Sequence, residues 1–188
     1  MKDSINGIEF DMKYIKEVPT PRQLAFYSLD CREAFYGGAA GGGKSSALLM
    51  AALKYVDRPR YAALLLRDTY ANLTKEGALI YRAEEWLGGT DAVWEGDAKR
   101  WRFPSGATLS FGYLDGPRDH FNYQSAEYHF IGIDECVNVR ENQALYMFSR
   151  QRKRISDGEI PLRFRCASNP PTREQMARGA WVKRRYVD

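Results

Sequence analysis

The sequence is poor in the residues that build disulfide frameworks and metal clusters. Its 188 residues include three cysteines and two histidines. Cys31, Cys136 and Cys166 lie far apart, with no CxxC pair among them. This spacing is typical of reduced thiols in a cytosol, and it argues against a disulfide scaffold or a structural zinc site. His120 and His129 also lack metal-binding spacing, so we expect neither to be a metal ligand.

Long apolar runs and a strong charge of one sign are also missing. Residues 1–19 lack the apolar core of a signal peptide, and no run reaches the roughly 18 residues of a membrane span. We therefore expect a protein that does not cross a membrane. The 28 Lys and Arg oppose 24 Asp and Glu, for a net charge of +4. Such a mild excess permits contact with nucleic acid without arguing for it.

Glycine, by contrast, is concentrated in one segment, GGAAGGGKSS, at residues 37–46. Residues 38–45 fit the pattern G-x-x-x-x-G-K-[ST], between an apolar run that predicts a buried strand and another that predicts a buried helix. Glycine permits positive φ, so that successive N–H groups can surround phosphate oxygens at a helix N-terminus. We predict a phosphate-binding loop rather than a merely flexible one. Its candidate nucleotide-binding residues are Gly38, Ala39, Ala40, Gly41, Gly42, Gly43, Lys44, Ser45 and Ser46.

Two side chains of this loop have specific predicted roles. Lys44 can reach the β- and γ-phosphates of a nucleoside triphosphate, where its charge also assists catalysis. Ser45 can ligate Mg²⁺.

A pair of acids follows a second apolar run. Phe130–Ile133 predicts a buried strand, and Asp134 and Glu135 come directly after it. A carboxylate at such a strand end holds Mg²⁺ in phosphate-loop proteins, so Asp134 is a predicted metal-side acid. Glu135 is the predicted general base for an attacking water. This second acid favours hydrolysis of ATP over transfer of phosphate to another substrate.

Polar residues near other predicted strands complete the candidate site. Gln23 precedes the strand of the loop, and its amide offers the donor and the acceptor that suit an adenine edge. Buried strands are predicted at 61–66 and 164–167, and ligands bind where such strands end. Asn169 is a candidate sensor of the γ-phosphate. Two structural roles remain open, a helix-start residue for Gln23 and a turn cap for Asn169.

The remaining segments carry less chemistry. We predict an amphipathic helix over 69–89 and a hairpin over 99–113. We predict a further helix over 141–155, and four cations lie at its end: Arg150, Arg152, Lys153 and Arg154. Three roles for these cations stay open: a solvated face, contact with DNA phosphates, or contact with a neighbour's active site.

In order and spacing, these motifs resemble the ATPase domain of the large terminase subunit, the DNA-packaging motor of tailed bacteriophages and related viruses. They lie between residues 19 and 171 and read TPRQ, GGAAGGGKSS, LLLRDTYANL, RFPSGATLSFGY, YQSAEYHFIGIDE and ASNPP. The resemblance implies an α/β fold, a P-loop NTPase of the additional-strand, RecA-like type: a three-layer sandwich with a parallel-rich central sheet. It also implies that Gln23 contacts adenine, that Glu135 is catalytic, and that 168–170 couples hydrolysis to movement.

The same resemblance implies cofactors, partners and a location. It predicts an ATP-hydrolysing motor that uses Mg²⁺ to translocate double-stranded DNA into a preformed capsid. The expected partners are a portal protein, the small terminase subunit and further copies in a homo-oligomeric ring, in the cytoplasm of the infected host cell. We expect 1–175 to be the ATPase domain and 176–188 a basic linker towards a nuclease domain absent from this chain. A helicase-type translocase, a non-hydrolysing nucleotide-gated scaffold and a small-molecule kinase remain alternatives.

One position departs from the family pattern. Some members carry an arginine, proposed to act in a neighbouring subunit, where this chain has Gln124. A trans-acting arginine must then come from elsewhere, and the candidates stay open: Arg67, Arg118, Arg140, Arg150 and Arg152.

Overall fold

A seven-stranded sheet organises the computed structural model, which describes residues 2–5, 8–153, 158 and 160–188. The strands are β1 (Lys2–Ile5), β2 (Ile8–Asp11), β3 (Glu33–Gly37), β4 (Ala62–Arg67), β5 (Val93–Glu95), β6 (Arg100–Arg102), β7 (Thr108–Tyr113), β8 (Phe130–Asp134) and β9 (Arg163–Ser168). The helices are α1 (Pro21–Ser28), α2 (Lys44–Leu53), α3 (Tyr70–Thr74), α4 (Leu79–Leu87), α5 (Glu141–Ser149) and α6 (Met176–Tyr186). Short 3₁₀ helices cover Asp119–Tyr123 and Cys136–Asn138.

The strand order in the sheet is β3-β9-β8-β4-β7-β6-β5, and β1 and β2 form a separate two-stranded sheet. The first five strands of that order run parallel, whereas β6 and β5 continue the sheet antiparallel. A parallel strand covered on both faces is apolar on both, which explains why all five residues of β8 are buried. The parallel-rich α/β fold predicted from the sequence is confirmed.

The sheet separates two apolar cores, one on each face. Alternation along β4 divides its residues between them: Leu65 packs with α1, α2 and α4, whereas Leu64 and Leu66 pack with α5 and α6. The result is a three-layer arrangement, helices–sheet–helices. None of the helices within the described ranges has the length and apolar character of a membrane span.

The predicted helix over 69–89 is wrong in its middle, because two helices occupy that segment. α3 begins after Thr69, whose hydroxyl caps it by accepting from the N–H of Asn72. It ends at Thr74, and the chain then turns through Gly77, which has a φ of +74°. The predicted hairpin is confirmed, with β6 and β7 antiparallel around its turn.

The helix predicted over 141–155 is shorter than expected. α5 ends at Ser149, and Gln151 then forms a parallel bridge with Tyr128 beside the sheet. Backbone pairing therefore replaces helix, and Arg152 and Lys153 follow α5 instead of ending it. Arg154 lies outside the described residues.

The segment assigned to a linker, 176–188, is helical over most of its length in this structure. α6 packs on the 3₁₀ helix at Cys136–Asn138, and the buried indole N–H of Trp181 donates to the carbonyl of Val139 at 2.9 Å. This packing places α6 against the turn that directly follows Asp134 and Glu135. A nuclease domain beyond it stays a prediction.

Gly179→Ala should destabilise the protein. A Cβ at Gly179 would lie 2.7 Å from the carbonyl oxygen and 3.0 Å from the Cα of Val137, and backbone atoms cannot move aside cheaply. Overpacking of this kind costs about 1–3 kcal/mol, more than the roughly 1 kcal/mol that alanine gains over glycine in a helix. Urea unfolding measures the difference. Arg178→Ala, exposed on the same helix, should stay within about 0.5 kcal/mol of the parent. A stability gain for Gly179→Ala would contradict the packing of α6.

Candidate functional site

The glycine-rich segment forms the loop between β3 and α2, at the carboxyl edge of the parallel strands. Gly41 and Gly43 have φ values of +78° and +65°, which favour glycine over other residues. At Gly43 a side chain would also clash with the amide of Gln23. The loop therefore needs glycine at Gly43 for two separate reasons, conformation and space.

A cavity of about 1200 Å³ opens over this loop. Its lining joins segments far apart in sequence, with Gln23, Glu135 and Asn169 around the loop. The remaining lining residues are Glu17, Val18, Thr20, Pro21, Arg22, Tyr36, Gly37, Gly38, Ala39, Ala40, Gly41, Gly42, Gly43, Lys44, Ser45, Ser46 and Arg82. The structure thus brings the residues predicted for nucleotide binding to one cavity.

Lys44 is folded into the loop at the first position of α2. Its ammonium group donates to the carbonyl oxygens of Gly38 at 3.2 Å and Ala39 at 2.7 Å. Only 6% of the residue is exposed. The ammonium therefore lies within the ring of backbone groups where the sequence predicts phosphate.

Ser45 and Asp134 meet across the site, although 89 residues separate them. The Ser45 hydroxyl donates to Oδ2 of Asp134 at 3.0 Å. Asp134 is fully buried, and its Oδ1 has no hydrogen-bond partner among the described residues. Burial raises the pKa of this carboxyl, and the nearby Arg67 guanidinium opposes the rise. A hydroxyl beside a carboxylate oxygen without a partner fits the oxygen ligands that Mg²⁺ prefers.

The described residues include no group of three or more His, Cys, Asp or Glu side chains that could hold a metal ion. A magnesium ion at Ser45 and Asp134 would therefore depend on phosphate oxygens and water for its remaining ligands, as is usual for this ion.

Arg67 ends β4 next to this acid. Its Nε lies 3.7 Å from Oδ2 of Asp134, and its Nη1 donates to the carbonyl of Asn72 at 2.7 Å. Arg67 was one of the candidates for acting in a neighbouring subunit. In this structure its guanidinium lies beside Asp134 of its own chain, and a role in a neighbouring subunit stays a prediction.

Glu135 has an uncommon backbone conformation, with φ +49° and ψ +49°. Non-glycine residues in the left-handed region are uncommon and concentrate at functional sites. Its Oε2 accepts a hydrogen bond from the buried hydroxyl of Ser168 at 3.2 Å. Pairing of Asp134 with Ala167 in neighbouring parallel strands brings these two strand ends together. The carboxylate therefore lies on the cavity wall with one oxygen held.

Asn169 follows Ser168 and also lines the cavity, where its side-chain oxygen is buried without a partner among the described residues. An unsatisfied buried polar atom is unusual and calls for a partner. Its placement agrees with the predicted contact to a γ-phosphate, which stays a prediction.

Both polar atoms of the Gln23 amide have a hydrogen-bond partner within the protein. Its oxygen accepts from the Thr20 N–H at 2.8 Å, which completes a capping box at α1, and its nitrogen donates to the Gly43 carbonyl at 2.9 Å. Gln23 therefore ties α1 to the loop. Contact with adenine stays a prediction, and the second N–H of the amide is the donor that it would use.

Arg82 is the residue that sequence reasoning missed. It lies on α4, and its Nη1 donates to Ser46 Oγ at 2.5 Å and to Glu17 Oε1 at 2.7 Å. Ser46 is buried, so the hydroxyl predicted to bind nucleotide contacts this guanidinium. Nothing in the amphipathic pattern of 69–89 distinguishes Arg82 from an ordinary surface arginine.

No curated protein sequence matches this chain. A family model described as terminase large subunit, T4likevirus-type, N-terminal, matches residues 35–185.

Solved structures share the fold at low sequence identity. The HK97 bacteriophage large terminase is 11% identical with a TM-score of 0.64, over 84% of this chain and 36% of that one. A large terminase from a thermophilic bacteriophage is 10% identical with a TM-score of 0.69, over 89% of this chain and 43% of that one. The large terminase ATPase domain of Thermus phage P74-26 is 14% identical with a TM-score of 0.57, over 94% of this chain and 74% of that one.

The chain spans less than half of the first two of these proteins, at 36% and 43% of their lengths. The matched fold confirms a RecA-like P-loop domain, with its glycine loop at the edge where the cavity lies. Because the family model covers 35–185 of the 188 residues, the chain belongs to the terminase large subunit family, of the T4likevirus type, and represents the N-terminal part.

Proposed function

We propose that this chain binds ATP with Mg²⁺ and hydrolyses it, and that hydrolysis powers translocation of double-stranded viral DNA into a preformed capsid. The observation that carries the proposal is the meeting of Ser45 and Asp134 at 3.0 Å on the glycine loop. Glu135 and Asn169 line the same cavity. Together these residues supply a phosphate cradle, a metal-side pair and a base.

Each residue then has a separate task. Lys44 binds the β- and γ-phosphates, exchanging the carbonyls of Gly38 and Ala39 for phosphate oxygens. Ser45 and Asp134 would hold Mg²⁺, which would neutralise charge on the phosphates. Glu135 accepts the proton of the attacking water, while the Ser168 hydroxyl holds its other oxygen. Asn169 contacts the γ-phosphate. When that phosphate is released, Asn169 transmits the change to the residues that follow it in the chain.

The partners of the proposal come from the family. We propose a homo-oligomeric ring that works with a portal protein and a small terminase subunit, in the cytoplasm of the infected cell. An arginine supplied by a neighbour accelerates phosphoryl transfer by about 10³–10⁵ in related chemistry. We therefore expect slow hydrolysis by the isolated chain and faster hydrolysis in the assembly.

Magnesium dependence tests the nucleotide half of the proposal. Calorimetry with ATPγS should give binding heat with Mg²⁺ and much weaker binding in EDTA. Ser45→Ala should weaken the magnesium-dependent binding by about tenfold or more, because a contact to a charged group is worth about 1.5–3 kcal/mol. The exposed Ser149→Ala should bind like the parent. A folded parent protein that gives no heat with Mg²⁺ and ATPγS would overturn the proposal.

The second part of the proposal, translocation of DNA, has a separate test. In assemblies with portal, ATP should drive displacement of a third strand from triplex DNA without separating the duplex, and ATPγS should not. Separation of the duplex strands would instead favour the helicase-type alternative.

A further inference from the structure

The lining of the cavity carries charges of both signs. Lys44 is the one cation of the loop at 37–46, and the lining acids Glu17 and Glu135 offset part of the positive charge. The other lining cations are Arg22, which is exposed on the first turn of α1, and Arg82, which is partly buried. An arginine beside the loop can pair with phosphate oxygens in a bidentate way, in addition to the charge that Mg²⁺ would neutralise.

Arg82 occupies such a position. Its Nη1 lies 2.5 Å from Ser46 Oγ, one residue after Ser45, in the first turn of α2. The backbone N–H groups of a first helical turn are themselves an anion site. The guanidinium and the helix N-terminus therefore border the same part of the cavity.

Some N–H donors of the Arg82 guanidinium have a weak hydrogen bond or none. Of its five N–H donors, those on Nη1 serve Ser46 and Glu17, whereas Nη2 makes a long contact of 3.4 Å to the Gly77 carbonyl. Nε is buried and has no hydrogen-bond partner in the described part of the chain. A buried donor left without a partner costs about 1–3 kcal/mol.

The partner that now holds the guanidinium can also release it. Glu17 pairs with Arg82 at 2.7 Å, but its side chain is 42% exposed, so water can solvate the carboxylate when the pair opens. Exposed ion pairs contribute little to stability. A phosphate, whose oxygens match the planar fork of arginine, is the stronger acceptor.

We propose that Arg82 is a nucleotide-binding residue that contacts the phosphate chain of ATP, with Ser46 seating its guanidinium and Glu17 holding it until nucleotide arrives. The inference rests on the proposed function, because it takes the ligand to be ATP. It also assigns a role to Ser46, whose buried hydroxyl acts through Arg82.

Calorimetry with ADP and with ATPγS, both with Mg²⁺, tests the assignment. Arg82→Gln should raise the Kd of each nucleotide by about tenfold or more, the loss expected for a charge-assisted contact. Arg82→Lys keeps the charge and loses the fork, so its Kd should lie between those of the parent and Arg82→Gln. The matched control is Arg58→Gln, which removes the same charge from an exposed side chain beyond the far end of α2 and should bind within about twofold of the parent.

Glu17→Gln distinguishes two roles for Arg82: contact with phosphate, and an ion pair with Glu17 that only stabilises the cavity wall. It weakens the ion pair and removes a negative charge beside the phosphates, so the Kd should equal that of the parent or fall. A rise as large as that of Arg82→Gln would show that the pair only braces the wall, and would overturn the proposal.

Failure of this inference is distinguishable from failure of the proposed function. If the parent binds ATPγS and folded Arg82→Gln binds it within twofold, the role of Arg82 is overturned and the ATP site stands. If the parent binds neither nucleotide, the ATP site itself fails, and the role of Arg82 fails with it. Should Arg82→Gln not fold, Arg82→Lys decides by the same criterion, with parental affinity counting against the proposal.

Discussion

Glu135→Gln should leave ATP binding intact and nearly stop hydrolysis. Glutamine has the size and shape of glutamate and can still accept from Ser168, so the hydrogen bond at 3.2 Å can persist. It cannot take a proton from water at neutral pH. General base catalysis contributes about 10²–10⁴-fold, and we expect turnover to fall by at least about 100-fold.

Two measurements on the same preparation check this result. Calorimetry with Mg²⁺ and ATPγS should give a Kd within a few-fold of the parent, and phosphate release should show the loss. Glu76→Gln removes the same charge from an exposed residue of the loop after α3, so its turnover should match the parent. Hydrolysis by Glu135→Gln at a parental rate would show that another group activates the water.

The parts of the site that sequence predicts are those set by local pattern. The glycine loop stands between an apolar strand and an apolar helix, which fixes its place at a helix N-terminus. Asp134 ends the buried strand β8 and Asn169 follows the buried strand β9, and parallel strands present their carboxyl ends on one edge. The parallel direction predicts that these side chains share one edge of the sheet, and the pairing of β8 with β9 in the structure makes them neighbours.

Contacts between distant segments are not encoded in that way. Arg82 meets Ser46 only because α4 packs beside α2, across 36 residues of chain. Any amphipathic helix carries polar residues on its outer face, and the pattern does not say which of them borders a cavity. The same holds for Arg67, whose neighbour Asp134 is revealed only by the pairing of β4 with β8.

Breaks in regular structure were missed for a more local reason. The run at 69–89 has helical periodicity on both sides of Gly77, and a single glycine costs a helix only about 1 kcal/mol. Tertiary contacts decide whether the helix continues or turns. The many basic residues of α6 predicted a linker, and they gave no sign of the close packing of Gly179 and Trp181. Trp181 belongs to the apolar core on the sheet face that α5 and α6 cover.

Lys44→Ala should abolish measurable nucleotide binding, in contrast to the loss of turnover at Glu135. In the structure the ammonium group donates two hydrogen bonds to loop carbonyls, of Gly38 and Ala39. Transferring two such donors to phosphate gives two charge-assisted contacts, each worth about 1.5–3 kcal/mol, so the Kd should rise by about 100-fold or more.

The change should act on binding rather than on folding. The substitution removes two hydrogen bonds, each worth about 0.5–1.5 kcal/mol, but alanine is a better helix former than lysine, so the unfolding free energy should fall by less than about 3 kcal/mol and the protein should stay folded. Urea unfolding checks this alongside calorimetry with Mg²⁺ and ATPγS, and the exposed Lys183→Ala on α6 provides the matched loss of charge. Parental affinity in folded Lys44→Ala would mean that backbone N–H groups alone hold the phosphates. A loss of affinity shared by Lys183→Ala would mean that net charge, and not the position of the ammonium group, governs binding.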